Sequence, residues 1–350
     1  MADFLIYGSY GYTGSLLAEQ AVKAGLQPLL AGRDAEKLAA QALTLSLPAV
    51  PFDLSNTEAL EAALRRVPLV VHCAGPFVHT YRPMVEACLR TGRHYLDISG
   101  EIPAFEALAG MSGQAAAKNI TLMPGAGFDV VPSDCLAAHL KRRLPSATSL
   151  RLYIRSVRGG VSRGTARSAV ENMQRGGMLR RDGSLVRVPA AAKTVEADFG
   201  RGPVKAVLVG WGDVSTAYHS TGIPNVEVYM ALPPALVGFM KATRWLGWLL
   251  YTRPVKEILK AAIGLLPPGP SREQNRTGFS LILGEATDPD GNRAVSRLKT
   301  PESYHLTALT SLAIARRVLA GDFKPGFATP SMAYGPDFIL GFDGVERNDE

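Results

Sequence analysis

The run Phe4-Leu5-Ile6-Tyr7, followed at once by Gly8-Ser9-Tyr10-Gly11-Tyr12-Thr13-Gly14, constrains this chain more than any other stretch. Leu16, Leu17, Ala21 and Ala24 then recur at helical spacing. A buried strand, a glycine turn and a helix in that order leave few folds open, because each glycine has its own steric task. Gly8 permits the tight turn, Gly11 lets the backbone approach a pyrophosphate, and Gly14 lets the helix pack against the strand. The amides and the dipole at the helix start then face the phosphates. The spacing is G-x-x-G-x-x-G, a variant of the commoner G-x-G-x-x-G fingerprint. On this reading Gly8, Ser9, Tyr10, Gly11, Tyr12, Thr13 and Gly14 hold a dinucleotide. An ordinary glycine-rich turn is the competing reading.

Pro28-Leu29-Leu30-Ala31 reads as a second buried strand, ending in Gly32-Arg33-Asp34. An acidic residue at this strand end would accept from a ribose 2′-hydroxyl, whereas an arginine accommodates a 2′-phosphate. Arg33 comes first and its planar guanidinium suits phosphate, so the expected cofactor is NADP. Asp34 is expected to cap the helix through Lys37 and Leu38. A third strand, Val50 to Asp53, brings Asp53 and Leu54 toward an adenine, although Asp53 would serve equally well as a turn cap. Ser55 and Glu58 have capping-box spacing for the next helix.

Leu69-Val70-Val71-His72-Cys73 is the fourth expected strand, and Cys73, Ala74, Gly75, Pro76 and Phe77 lead away from it toward the cofactor. His72 reads as a buried strand residue. Pro83 reads as lying near the start of the following helix. Strands at His94–Ile98 and Ile120–Met123 close in Ser99-Gly100-Glu101 and in Pro124-Gly125-Ala126-Gly127-Phe128-Asp129. This alternation predicts an α/β fold, a Rossmann-type doubly wound parallel sheet, with ligands beyond the carboxyl ends of the strands.

Past Leu144-Pro145 the texture changes. Leu150–Arg155, Val204–Val209, Val226–Met230 and Phe279–Leu283 alternate or run apolar like strands, and Asp288-Pro289-Asp290-Gly291-Asn292 reads as a hairpin turn before Ala294–Leu298. The expectation is an inserted α+β substrate domain, residues 146–301, on a mainly antiparallel sheet. Residues 1–145 and 302–350 would form the cofactor domain, with a long helix from Leu306 to Leu319.

The motifs also carry a family resemblance. Gly75-Pro76-Phe77 with Tyr81 and Pro83–Cys88, His94–Glu101, and Pro124–Asp129 with Pro132 and Asp134 are similar to the saccharopine dehydrogenase-like oxidoreductases. Gly159–Ser168 resembles a loop of that family's second domain, and Pro268–Ser271, with Thr329–Ser331 before Tyr334–Phe338, resemble segments of its trans-acting enoyl reductase and oxidoreductase-like branch. The resemblance covers nearly the whole chain. It implies the fold and the nicotinamide cofactor, and it implies that the C-terminal helix returns to the cofactor domain. It leaves the substrate open, because the family spans C–N and C=C chemistry.

Candidate proton donors or carbonyl-binding hydroxyls are Asp129, Tyr81, Ser162 and Thr165. Asp129 follows a strand end in a glycine-containing loop, and a structural carboxylate is the competing reading. Ser162 and Thr165 would otherwise cap a helix near Thr165. Asp97 and Glu101 read as loop-holding groups. There is no Ser-His-Asp order, no His/Cys metal cluster and no P-loop lysine, so hydrolase, metal and kinase readings fall away.

The formal net charge of +7 comes without a long Lys/Arg run, which fits an anionic cofactor or a membrane surface better than nucleic acid. Three cysteines without metal spacing suggest free thiols in a reducing cytosol, and no signal peptide is expected. Pro233–Leu266 is rich in apolar residues, Trp245 and Trp248 among them, but is broken by Lys241, Arg244, Arg253, Lys256 and Lys260. It reads as helices that wall a lipophilic substrate site, with peripheral membrane contact as an option. A homodimer is left open.

Three functions follow. The first is NADP(H)-dependent reduction of a C=C or C=N bond in a lipophilic or carrier-linked molecule. The second is saccharopine-type C–N chemistry, with Arg155, Arg158, Arg163 and Arg167 for substrate carboxylates. The third, of another class, is a non-catalytic NADP-binding scaffold at a lipid surface.

Overall fold

The computed structural model describes residues 2–172, 176–250 and 252–350, without the side chains of residues 243–250 and 253. The chain divides into two compact units, Met1–Val131 with Tyr304–Ala333, and Pro132–Ser303 with Tyr334–Glu350.

The first unit is built on strands β1 (Leu5–Tyr7), β2 (Leu29–Gly32), β3 (Ala49–Pro51), β4 (Leu69–His72), β5 (His94–Asp97) and β6 (Thr121–Met123), with β15 (Gly326–Phe327) on the far edge. The seven-stranded order is β15-β6-β5-β4-β1-β2-β3, and every pair is parallel. β1, β2 and β4 are buried at every residue, as the short apolar runs require of strands covered on both faces. The order reverses between β1 and β4, which opens a crevice at their carboxyl ends.

Two local expectations are corrected here. The helix Thr57–Leu64 is capped by Asn56, whose side chain accepts from the Ala59 amide; Ser55 instead donates its amide and hydroxyl to Asp53. Pro83 lies inside the helix Phe77–Thr91, not near its start. Asp34 does cap its helix, accepting from the Lys37 amide at 3.1 Å.

The helix Ser303–Leu319 brings the C-terminal part back to this unit. Thr310 and Ser311 hydroxyls donate to the Ala126 carbonyl at 2.9 and 3.1 Å, and Thr307 Oγ1 accepts from the Phe128 amide at 3.0 Å. Gly127 makes this approach feasible, since a Cβ there would lie 2.6 Å from Thr307 Cγ2.

The second unit holds β7 (Ser149–Val157), the hairpin β8 (Gly177–Arg181) and β9 (Ser184–Val188), then β10 (Thr194–Asp198), β11 (Pro203–Leu208), β12 (Asn225–Met230), β13 (Phe279–Thr287), β14 (Arg293–Pro301) and β16 (Glu346–Asp349). The main path is β10-β11-β12-β7-β13-β14-β16, with β8 and β9 attached at β12. Its pairs are antiparallel except β7 with β12. Asp288 closes the β13–β14 hairpin by accepting from the amides of Asp290 and Asn292. Gly284 on β13 admits the helix Val131–Arg143, because a Cβ there would meet Leu140 Cδ1 at 2.6 Å. The chain crosses at Val131 rather than the expected residue 145, and residues 334–350 group with the second unit, where β16 pairs with β14.

Within 233–266 the backbone forms helices Pro234–Leu250 and Arg253–Gly264. The side chains of Trp245 and Trp248, on which the apolar-face expectation falls, lie outside the described residues. No helix of the described residues is long and apolar enough to cross a membrane.

Candidate functional site

The glycine turn meets the steric demands placed on it. Gly8 has φ +81°, and a Cβ there would stand 2.9 Å from Ala74 Cβ, so the turns after β1 and β4 touch through it. A Cβ on Gly14 would lie 2.3 Å from the Gly8 carbonyl oxygen, which only a bare backbone allows. Gly11 is different: a Cβ would meet only Gly8 O, at 3.1 Å, leaving its outer side open to a ligand. The helix Tyr12–Lys23 begins after Gly11 with no side-chain cap. Its first amides lack intrahelical acceptors and suit a pyrophosphate. The chain's own residues therefore fit a dinucleotide at this turn.

The turn is braced by a residue that sequence reading missed. Gln41 donates to the Ser9 carbonyl at 2.8 Å and accepts from the Ser9 hydroxyl at 2.8 Å, while Ser15 Oγ donates to the same carbonyl at 3.2 Å. Nothing in the local pattern marks Gln41. The Tyr12 ring meets Tyr304 edge-on at 5.1 Å, which sets the start of the C-terminal helix beside the turn.

At the end of β2, the Tyr10 ring lies over Gly32, where a Cβ would be 2.5 Å from Cε1. Arg33 is exposed next to it and makes no hydrogen bond or ion pair among the described residues. Asp53 accepts from the Ser55 amide and hydroxyl at 2.9 and 2.8 Å. Those two donors, with the Arg33 charge as a smaller effect, hold its carboxyl below the usual range. Its turn-capping role is thus the observed one. Leu54 beside it is buried.

After β4, Cys73 donates its amide to the Tyr7 carbonyl at 2.8 Å, and burial pushes its thiol up. His72 is fully buried, its pKa lowered to about 3 by that burial. Its Nε2 pairs with Thr80 Oγ1 at 3.0 Å, and Thr80 donates to the Ala74 carbonyl at 2.7 Å, fixing the Ala74–Phe77 loop. Gly75–Pro76 is a cis peptide. Phe77 is buried at the start of its helix.

β5 and β6 end in a carboxylate-rich corner. Asp97 accepts from the Tyr95 hydroxyl at 2.7 Å and from the Ser99 and Gly125 amides at 2.9 Å each. Burial raises its pKa to about 6 despite those donors. Asp129 is half-buried in the loop after β6, and its pKa is raised to about 7 by desolvation first and the charge of Glu101 second. A carboxyl poised near neutrality at the ligand-facing edge of a parallel sheet can both donate and recover a proton.

The other candidates fall elsewhere. Tyr81 packs in the apolar core of the first unit, 8% exposed. Ser162 and Thr165 belong to the second unit, where Ser162 Oγ accepts from the Thr165 amide at 3.1 Å and caps the helix Arg163–Asn172. Their hydroxyls lie 3.2 Å apart.

Residues 4–123 match the family of the saccharopine dehydrogenase NADP binding domain. A putative trans-acting enoyl reductase of Mycobacterium tuberculosis is 34% identical over 183 residues, 48% of this chain and 43% of that protein. A trans-acting enoyl reductase of Mycobacterium leprae is 33% identical over 150 residues, 41% of this chain and 36% of that one. The matches thus span less than half of these relatives. The fold of apo saccharopine dehydrogenase (L-Glu forming) from Saccharomyces cerevisiae superposes with a TM-score of 0.68 at 13% identity, covering 100% of both chains. The resemblance read from the motifs agrees with this match over residues 4–123, which are similar to a saccharopine dehydrogenase NADP binding domain.

Proposed function

We propose that this chain, with a cofactor domain of the saccharopine dehydrogenase type, is an NADP(H)-dependent oxidoreductase. Its substrate is a C=C or C=N bond in a lipophilic or carrier-linked molecule. The observation that carries this reading is Asp129, with its pKa near 7, at the same sheet edge as the glycine turn. The enoyl reductase names of the mycobacterial relatives favour C=C over C=N.

A bound nicotinamide supplies the hydride. The chain's residues do the rest. Amides at Gly11–Gly14 bind the pyrophosphate, and the Arg33 guanidinium takes the 2′-phosphate. The Ala74–Phe77 loop, fixed by Thr80 and His72, borders the crevice between β1 and β4. Asp129 delivers a proton to the substrate atom that does not accept hydride. Ser162 and Thr165, bonded to each other at the start of their own helix, have no part in the reading. Tyr81, sunk in the core, has no part in the reading.

The test is NADPH consumption by the purified chain with enoyl thioesters of increasing acyl length, alongside imines formed from amino acids and oxoacids. Faster turnover with longer enoyl chains is expected. Preference for the amino-acid imines would move the reading to saccharopine-type chemistry, and NADPH binding without consumption would make the chain a scaffold.

A further inference from the structure

The corner Ser99-Gly100-Glu101, which joins β5 to the helix Ile102–Gly110, has two unusual members. Glu101 accepts from the amides of Phe77 at 3.0 Å and Val78 at 2.8 Å, one on each carboxylate oxygen. Its charge is thereby pinned across the start of the helix Phe77–Thr91, which has no cap from its own preceding residue. Its amide donates to Ser99 Oγ at 2.9 Å, and Asp97 holds the Ser99 amide at 2.9 Å, so the corner is fixed from both sides. Gly100 is bare where a side chain would collide: a Cβ there would lie 2.7 Å from Asp129 Oδ2.

We propose that the Gly100–Glu101 corner is the positioning device for Asp129, with Gly100 providing the carboxyl's seat and Glu101 setting the charge it faces. This rests on the reading of Asp129 as the proton donor. Two neighbouring carboxyls do not both ionise cheaply. Two amide donors occupy the oxygens of Glu101, one on each, which holds its carboxyl in place beside the Gly100 seat. The raised pKa of Asp129 agrees, burial coming first and Glu101 second. Glu101 is the charged group whose field acts on Asp129. Asp97, the other acid at these strand ends, is occupied by Tyr95, Ser99 and Gly125. The C-terminal helix meets this loop through the uncharged hydroxyls of Thr307, Thr310 and Ser311. The same carboxylate thus ties the cofactor-side loop ending at Phe77 to the reacting group.

The experiment is a carboxyl-carbon NMR titration of the full chain, with the Asp129 signal assigned through Asp129→Asn. In Glu101→Gln the Asp129 midpoint should fall by about one pH unit, and the alkaline limb of the rate profile should move with it. Glu101→Asp, which keeps the charge, should restore most of both. The nearest atoms to the added Cβ of Gly100→Ala are all of the Asp129 side chain, Oδ2 at 2.7 Å and Cβ and Cγ at 3.2 Å, with no backbone atom among them, so the fold should survive it. There the midpoint should shift and NADPH-dependent turnover should fall about tenfold, with NADPH affinity within about twofold of the parent. An unchanged Asp129 midpoint in Gly100→Ala, or in folded Glu101→Gln, overturns the proposal. The NMR midpoint needs no substrate, so it stands or falls separately from the assigned reaction.

Discussion

The Tyr10 hydroxyl accepts the backbone N–H of Asp34 at 3.1 Å, joining the glycine turn to the strand end that carries Arg33. The ring lies on Gly32, so one side chain sets both the turn and the neighbouring loop. Tyr10→Phe keeps the ring and removes this bond. One neutral hydrogen bond contributes about 1 kcal/mol, so NADPH affinity should fall about fivefold by calorimetry. An unchanged affinity would mean that the Arg33 loop holds its conformation without Tyr10.

The proposed cofactor choice rests on Arg33. Arg33→Ala should weaken NADPH binding by about tenfold or more, while NADH affinity changes less than about twofold. Equal losses for both cofactors would remove Arg33 from the 2′-phosphate.

Gly14→Ala probes the contact between helix and turn. Its Cβ would be 2.3 Å from a backbone oxygen, which cannot swing aside as a side chain does. Destabilisation of about 2 kcal/mol or more is expected from the denaturant midpoint of the first unit, together with loss of cofactor binding. Gly25→Ala is the control for backbone effects alone, having positive φ but no atom within 4 Å of its Cβ.

What was legible in the sequence was local. The glycine spacing, the Asp34 cap and the apolar strands each depend on neighbours a few residues away. Gln41 and Gly100 were not legible, because their meaning lies in Ser9 and Asp129, brought to them only by the fold. The capping box at Ser55 failed because Asp53 captures the Ser55 amide and hydroxyl, leaving Asn56 one position on to cap. β8 and β9 carry arginines on short runs and become strands through their mutual pairing, which no periodicity reveals. The last strand, β16, is anchored by Asp349 through Ser296 at 2.6 Å and His139 at 2.9 Å, contacts that explain why residues 334–350 group with the second unit.

The raised carboxyls give a signed pH dependence. Asp129 and Asp97 hold protons in the folded chain, at about 7 and about 6, that the unfolded chain releases from about 3.8. Their contribution to stability is therefore greatest at low pH and declines as pH rises from about 4 to about 7, then levels off. Asp129→Asn should flatten the upper part of that decline in chemical unfolding followed across pH.

The central claim is that the chain moves a hydride from NADPH while Asp129 supplies the proton. It is tested most directly by single-turnover reaction of 4-deuterated NADPH with a long-chain enoyl thioester, comparing the parent with Asp129→Asn. The account predicts deuterium on one carbon of the reduced bond and a solvent-derived proton on the other. It predicts NADPH affinity close to the parent's in Asp129→Asn, a rate lower by about a hundredfold, and loss of the parent's fall in rate above pH about 7. NADPH bound with no label transferred to any C=C or C=N substrate, or full activity in Asp129→Asn, would contradict it.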